Sequence, residues 1–410
     1  MAQSSISTKF DVLIIGGGAA GLAVGANLAR RAPHLRTGVV DPADAHFYQP
    51  GWTLVGNGVF THRQTRRPMQ SVIPRGVEWV KQPVAAFDPG NRQVTLGDST
   101  VLDYDRLVVC PGLKLDWDAV EGLRETLGQN GVTSNYMPRM AEYTWSLVQS
   151  LKSGKALFTQ PPMPIKCAGA PQKAMYLSAD AWQRAGTLGD IDISFHNAGP
   201  ALFGVADYVP ALMEYVDRYG IDLRLGSRLI SIDGPGRKAV FAQKAADGAD
   251  QSVTCDFDMI HVCPPQTAPD VIRSSALANG EGWVDVSPET LQHVRFADIF
   301  SLGDACSAPN AKTAAAVRAQ VPVVVDNLLA SLDGKPPART YNGYGSCPLT
   351  VEKGRIVLAE FGYGGKLLPT FPKWLVNGTR PSRLAWFLKE RILPFVYFNL
   401  MLKGHNWLIK

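Results

Sequence analysis

Phe10-Asp11-Val12-Leu13-Ile14-Ile15-Gly16-Gly17-Gly18-Ala19-Ala20-Gly21 decides the fold of this 410-residue chain. The short apolar run through Ile15 reads as a buried parallel strand stopped by glycine. Gly16-x-Gly18-x-x-Gly21 then opens a helical pattern through Leu22, Val24 and Leu28. Asp41, about 20 positions on, closes a second apolar strand at 37–40 and completes a dinucleotide fingerprint. Gly16 permits the tight turn, Gly18 lets backbone approach a pyrophosphate, and Gly21 allows close helix–strand packing. The helix N-terminus offers free amides to the phosphates, and Asp41 would accept hydrogen bonds from ribose hydroxyls. FAD and NAD share this signal.

Ser301-Leu302-Gly303-Asp304-Ala305, far down the chain, favours FAD. An acid after a strand and glycine suits a second contact to one extended cofactor, with Asp304 on the ribityl chain. A loop aspartate capping a helix is the competing reading. The helix expected from about Lys312 would aim its amides and a lysine at the flavin pyrimidine edge, favouring the reduced, anionic flavin.

Flavoproteins built from two such units place a second glycine fingerprint near residues 155–175. Here an expected strand at 156–159 runs instead into Pro164-Ile165-Lys166-Cys167-Ala168-Gly169-Ala170-Pro171-Gln172-Lys173. Lys166, Lys173 and a helix start near Gln172 all lower a thiol pKa. A cysteine where nicotinamide would bind points to electrons from a thiol or sulfide, with a buried, inert cysteine as the alternative. Cys347 likewise falls in a Gly/Pro segment that reads as a loop. Cys110, Cys263 and Cys306 read as packing residues, and Cys255 as lying near a surface turn.

Composition bounds the rest. Hydrophobic residues are 46%, charged residues 19%, and the net charge is +5, a globular balance with no nucleic-acid signature. The six cysteines form no CxxC pair, against a zinc site or disulfide scaffold. No signal peptide is read at the N-terminus, and no stretch is read as reaching the ~18 uncharged apolar residues of a spanning helix. The expected fold is α/β. Two Rossmann-like units stand in tandem, 1–150 and 151–288, with 289–331 returning to the first and a C-terminal region at 332–410. A stretch at 75–105 reads as an antiparallel insertion. Strands are also expected at 106–110, 191–195, 222–225, 239–242 and 259–262. From Ser382 to Lys403, aromatics and leucines interleave with Lys and Arg around Pro394, which is read as breaking the run. That pattern suits a segment lying in a membrane interface, basic residues at the headgroups; packing on the protein itself or on a second subunit is the alternative.

With these residues in view, the chain resembles the sulfide:quinone oxidoreductases. The likeness is carried by His46-Phe47-Tyr48-Gln49-Pro50-x-Trp52-Thr53-Leu54-Val55-Gly56, Lys166-Cys167-Ala168-Gly169-Ala170-Pro171-Gln172-Lys173, Gly282-Trp283-Val284-Asp285-Val286, Lys312-Thr313-Ala314-Ala315-Ala316-Val317 and Tyr341-Asn342-Gly343-Tyr344-x-Ser346-Cys347-Pro348-Leu349. The resemblance implies that Cys167 and Cys347 form a redox pair beside FAD. It places FAD contacts at Ala19, Ala20, Asp41, Gln49, Val84, Asp304 and Ala314. Some branches carry a third cysteine near Ser134, so noncovalent FAD is expected here. Asp41 stands where Glu is more usual. The implied partners are hydrogen sulfide, quinone, a small sulfur acceptor (glutathione, sulfite or sulfide) and a respiratory membrane surface. A homo-oligomer stays open. The competing functions are a type II NADH:quinone dehydrogenase and a flavin-bearing scaffold without turnover.

Overall fold

The computed structural model describes residues 8–244, 248–309 and 311–406. Most of the N-terminal stretch read for a signal peptide, residues 1–7, lies outside them. The fingerprint strand, Lys9–Ile15, is central in a seven-stranded sheet. It pairs in parallel with Thr37–Val40 on one side and with Val101–Val109 on the other. Its apolar residues are almost wholly buried, as expected of a strand covered on both faces. Helices Ala19–Arg31 and Ala314–Leu332 pack against each other and bury apolar faces in the same core.

Two expectations about this sheet are corrected. Val101–Val109 is one strand, where two separate pieces were expected. Its first residues pair antiparallel with Gln93–Leu96, and its last pair in parallel with the returning strand Ile299–Ser301. Val77–Val80 is not part of the antiparallel insertion; it pairs in parallel with Thr37–Val40. The insertion's partner strand is Val84–Asp88.

A second, five-stranded parallel sheet runs in the order Val132–Thr133, Met259–His261, Gly154–Gln160, Ile191–Asn197, Asp222–Leu225. Lys238–Lys244, where a strand was expected, instead lies between Arg228–Asp233 and Asp250–Asp256 in a separate antiparallel sheet. Cys255 sits on that sheet rather than near a turn. Gly345–Glu352 and Arg355–Phe361 form a hairpin whose inner face joins the second core with Phe158, Tyr176 and Phe195.

Ala314–Leu332 is long and apolar enough to cross a membrane by length and composition, the one such helix among the described residues. It carries Arg318 and Asp326, and more than half of it is buried in the fold. That is the character of a core helix. Near the C-terminus, helical backbone passes from Arg383–Phe387 through a π-turn at Leu388–Ile392 into Leu393–Asn399. Pro394 therefore does not break the run. It stands in the first turn of the last piece, where its missing N–H costs least, and the π-turn precedes it.

Candidate functional site

The fingerprint loop is built to leave room. Gly16 ends the strand, its amide donating to the Val40 carbonyl at 2.9 Å. A Cβ on Gly21 would lie 1.9 Å from the Gly16 carbonyl oxygen, so only glycine lets the helix approach this closely. A Cβ on Gly18 would meet nothing within 4 Å. No side chain caps the helix that Gly18 precedes, which leaves the first-turn amides of Ala19 and Ala20 available to an anion. The Asp41 carboxylate accepts from the Gly17 amide at 2.5 Å and the Ala43 amide at 2.8 Å. This open, amide-lined cradle fits the pyrophosphate of a dinucleotide such as FAD.

Asp304 and Lys312 lie on the return segment. Gly303–Ala305 is a single 3-10 turn after Ile299–Ser301, and burial raises the Asp304 carboxyl above the usual carboxylate range. The Lys312 ammonium donates to the carbonyls of Asp304 (2.7 Å) and Cys306 (3.0 Å) and lies 3.9 Å from the centre of the Trp283 ring. Ala314 is the first residue of its helix, and the Thr313 hydroxyl caps that helix by accepting from the Ala316 amide at 3.1 Å. Gln49 accepts from the Lys166 ammonium at 2.8 Å, drawing the first unit toward the cysteine loop. Val84 begins an edge strand against the first core and makes none of these contacts. Ser134 is buried, its hydroxyl accepting from the Tyr136 amide at 3.1 Å.

The cysteine loop joins the second sheet to the return segment. After Gly154–Gln160, the chain reaches Cys167 and enters the helix Ala170–Ala185. Cys167 has φ +55°, and its amide donates to the Lys312 carbonyl at 2.8 Å. A Cβ on Gly169 would strike the Leu349 side chain at 2.1 Å, so glycine there lets the loop lie on the strand bearing Cys347. Across 180 residues the two sulfurs meet at 3.7 Å. Cys347 is no loop residue: it lies within Gly345–Glu352, pairs opposite Ala359 and is 0% exposed. Cys110, Cys263 and Cys306 are buried, and burial raises each thiol.

The two sulfurs differ sharply. The thiol of Cys347 directed at Cys167 holds the Cys167 thiol well below its ordinary value; burial opposes this, and Lys173 adds to it, its ammonium donating at 3.0 Å. The same contact, followed by burial, raises Cys347 well above its ordinary value. The ammonium of Lys173 thus favours negative charge on Cys167 over Cys347.

A residue the sequence reading did not assign here comes from the far C-terminus. Lys389, in the π-turn, is 4% exposed. Burial, then repulsion from Lys173, lowers it to about 7, while Cys167 and Cys347 oppose the fall. It was expected among headgroup-facing lysines. It turns inward because its helix packs on Ile356 and Leu358 of the hairpin and on Leu177, one turn along the helix from Lys173. The buried His46 ring also bridges from the C-terminus, its nitrogens 2.7 Å from the Tyr397 hydroxyl and 3.2 Å from the Gly17 carbonyl. Its position inside a quoted sequence string was the only signal for it.

The family described as pyridine nucleotide-disulphide oxidoreductase matches residues 10–320. A Dictyostelium discoideum protein named mitochondrial sulfide:quinone oxidoreductase is 39% identical over 96% of this chain and 86% of its own length. The Mus musculus protein of the same name is 36% identical over 98% of this chain and 89% of its own. The crystal structure of the Aquifex aeolicus sulfide:quinone oxidoreductase matches with a TM-score of 0.79 at 18% identity, covering 96% of this chain and 92% of that one, a likeness of fold.

Proposed function

Since the chain belongs to the pyridine nucleotide-disulphide oxidoreductase family and to its sulfide:quinone oxidoreductases, we propose that Cys167 and Cys347 are the groups through which it oxidises sulfide. The chain is an oxidoreductase with FAD as cofactor, sulfide as substrate and quinone as electron acceptor. The observation carrying the cysteine assignment is the 3.7 Å approach of two distant sulfurs, one held by Lys173.

In the oxidised enzyme the pair is a disulfide. Hydrosulfide, drawn in by Lys173 and Lys389, attacks the Cys347 sulfur. The Cys167–Cys347 bond breaks, and its electron pair leaves on Cys167 as thiolate. This order follows the family likeness, and Lys173, 3.0 Å from the Cys167 sulfur, would steady the departing thiolate. Cys347 then holds the added sulfur as a persulfide. A small nucleophile such as glutathione, sulfite or a second sulfide takes that sulfane sulfur and leaves the Cys347 thiolate. Two-electron oxidation of the resulting dithiol, with delivery of the pair to quinone, is the chemistry FAD supplies when bound. The Cys167–Cys347 disulfide is restored.

Noncovalent FAD held by Gly16, Gly18, Ala19, Ala20, Gly21, Asp41, Gln49, Gly303, Asp304, Lys312 and Ala314 is the reading the cradle and return segment support. Val84 stays in this set on family likeness alone. Residues 1–150 with 289–331 form the flavin unit in this reading, 151–288 the cysteine unit and 332–410 the C-terminal region. That region is read as peripheral to a respiratory membrane, because Trp374 (84% exposed), Phe387 (51%) and Phe395 (58%) face outward. Leu384, Phe387 and Phe395 recur at helical spacing on one stripe. Quinone would enter there, beside Tyr397.

Anaerobic mixing of the holoenzyme with sulfide or NADH tests the assignment. Sulfide is expected to bleach the flavin, and quinone with sulfite to restore it. Bleaching by NADH and not by sulfide would overturn the reading.

A further inference from the structure

His46 and Tyr397 lie 351 residues apart, both buried, and meet behind the dinucleotide loop. The Gly17 carbonyl oxygen, 3.2 Å from Nδ1 of His46, can only accept, so Nδ1 carries a hydrogen. Burial lowers the ring below its ordinary value, against the Gly17 carbonyl and Asp41, and keeps it neutral. Nε2 is then a bare acceptor, and the Tyr397 hydroxyl donates to it at 2.7 Å. Burial also raises the Tyr397 phenol, which keeps its proton. The bonds therefore run one way, from Tyr397 through His46 to Gly17.

The end of this chain is part of the cradle. A trans peptide is planar and holds its C=O and N–H on opposite sides. Drawing the Gly17 carbonyl toward His46 aims the Gly18 N–H the other way, and at Gly18 the loop is open. The Gly17 amide is fixed in turn by the Asp41 carboxylate at 2.5 Å. The peptide groups on both sides of Gly17 are thus held, one by an acid and one by an imidazole.

Tyr397 is seated by more than this bond. Its ring lies 4.8 Å from that of Tyr48, and Met401 and Leu402 join the same core. The Arg30 guanidinium donates to the Gly404 carbonyl at 2.6 Å, and a Cβ on Gly404 would lie 2.5 Å from the Ala26 carbonyl oxygen. The end of the chain is thereby fastened to Ala19–Arg31, the helix that the loop opens.

We propose that His46 is a positioning residue for FAD: it sets the Gly17–Gly18 peptide that meets the pyrophosphate, and Tyr397 fixes the tautomer that does so. The helix Leu393–Asn399 is thereby part of the FAD-binding unit. The proposal rests on the cradle reading above.

The test measures FAD affinity by flavin fluorescence as the loaded protein is diluted to equilibrium. The side-chain nitrogen of asparagine can stand where Nδ1 does, and that of glutamine where Nε2 does. His46→Asn keeps a donor for the Gly17 carbonyl and should hold FAD within about threefold of native. His46→Gln loses that donor and should bind FAD about tenfold more weakly. Stripped of flavin, the two variants should melt together. Equal affinity in both, or a split that the melting temperatures of the stripped proteins reproduce, overturns the proposal in favour of a core-packing histidine. Should neither variant fold, Tyr397→Phe decides, since it removes one hydroxyl from a filled site. It should bind FAD about threefold more weakly. Coupling is reciprocal, so FAD should slow amide exchange over 393–404 in the native protein and not in this variant. Failure of either result overturns the link to the C-terminal helix. A native protein that retains no FAD sinks the cradle reading instead.

Discussion

The two largest sheets each send a central strand into a turn and a helix, and the two turns do opposite things. After Lys9–Ile15 the chain crosses Gly16 to Gly18 and is helical again at Ala19. After Gly154–Gln160 it takes a longer path to Ala170, through Pro164, Lys166 and Cys167. In the proposed reading the first turn works by removing side chains, so that backbone amides can meet a phosphate. The second succeeds by supplying one, a sulfur, with a lysine to hold its charge. One architecture hosts two chemistries because each resides in the turn and not in the sheet.

Substitutions can break that comparison, and the largest effect belongs to the first turn. Gly21→Ala forces a methyl onto the Gly16 carbonyl oxygen. We expect a loss on the order of 3 kcal/mol or more and insoluble or flavin-free protein, read by melting temperature and flavin absorbance. Cys167→Ser should leave fold and flavin intact yet stop sulfide-dependent quinone reduction; native turnover in this variant would remove the second turn's role. Gly18→Ala tests the cradle more finely, because its methyl has space within the polypeptide. Native melting of the apoprotein is expected, with FAD affinity lower by roughly 10- to 100-fold, or about 1–3 kcal/mol. Titration with FAD measures it.

The smallest effect concerns charge. Cys167 is depressed first by the Cys347 thiol and then, against burial, by Lys173, so its thiolate persists as pH falls below the ordinary thiol range. Lys173→Met should move the midpoint of Cys167 alkylation upward by about 1 to 3 pH units. An unmoved midpoint would mean that Lys173 does not hold the thiolate.

Much of the site was legible because it is local. The glycine spacing, Asp41, Asp304 and the basic flank of Cys167 occupy short stretches whose meaning does not depend on distant chain. Strands such as Lys9–Ile15 and Thr37–Val40 announced themselves by apolar runs ahead of turn residues. What failed depended on partners far along the chain. Cys347 reads as a loop residue because Gly345 and Pro348 flank it. The hairpin with Arg355–Phe361 buries it nevertheless, and proline is tolerated in a two-stranded sheet. Lys389 looks like one more basic residue on an amphipathic segment; only the packing of that segment over Leu177 and Leu358 turns its ammonium inward. The double pairing of Val101–Val109 is likewise a fact about neighbours.

The bond from the Cys167 amide to the Lys312 carbonyl has a consequence for how this enzyme can vary. Both partners are main chain, so the anchor survives replacement of the lysine side chain. Electrostatic tuning and placement of the Cys167 sulfur are thereby separable at position 312. A homologue could exchange that ammonium for another group, altering the local field, while the sulfur stays where it was.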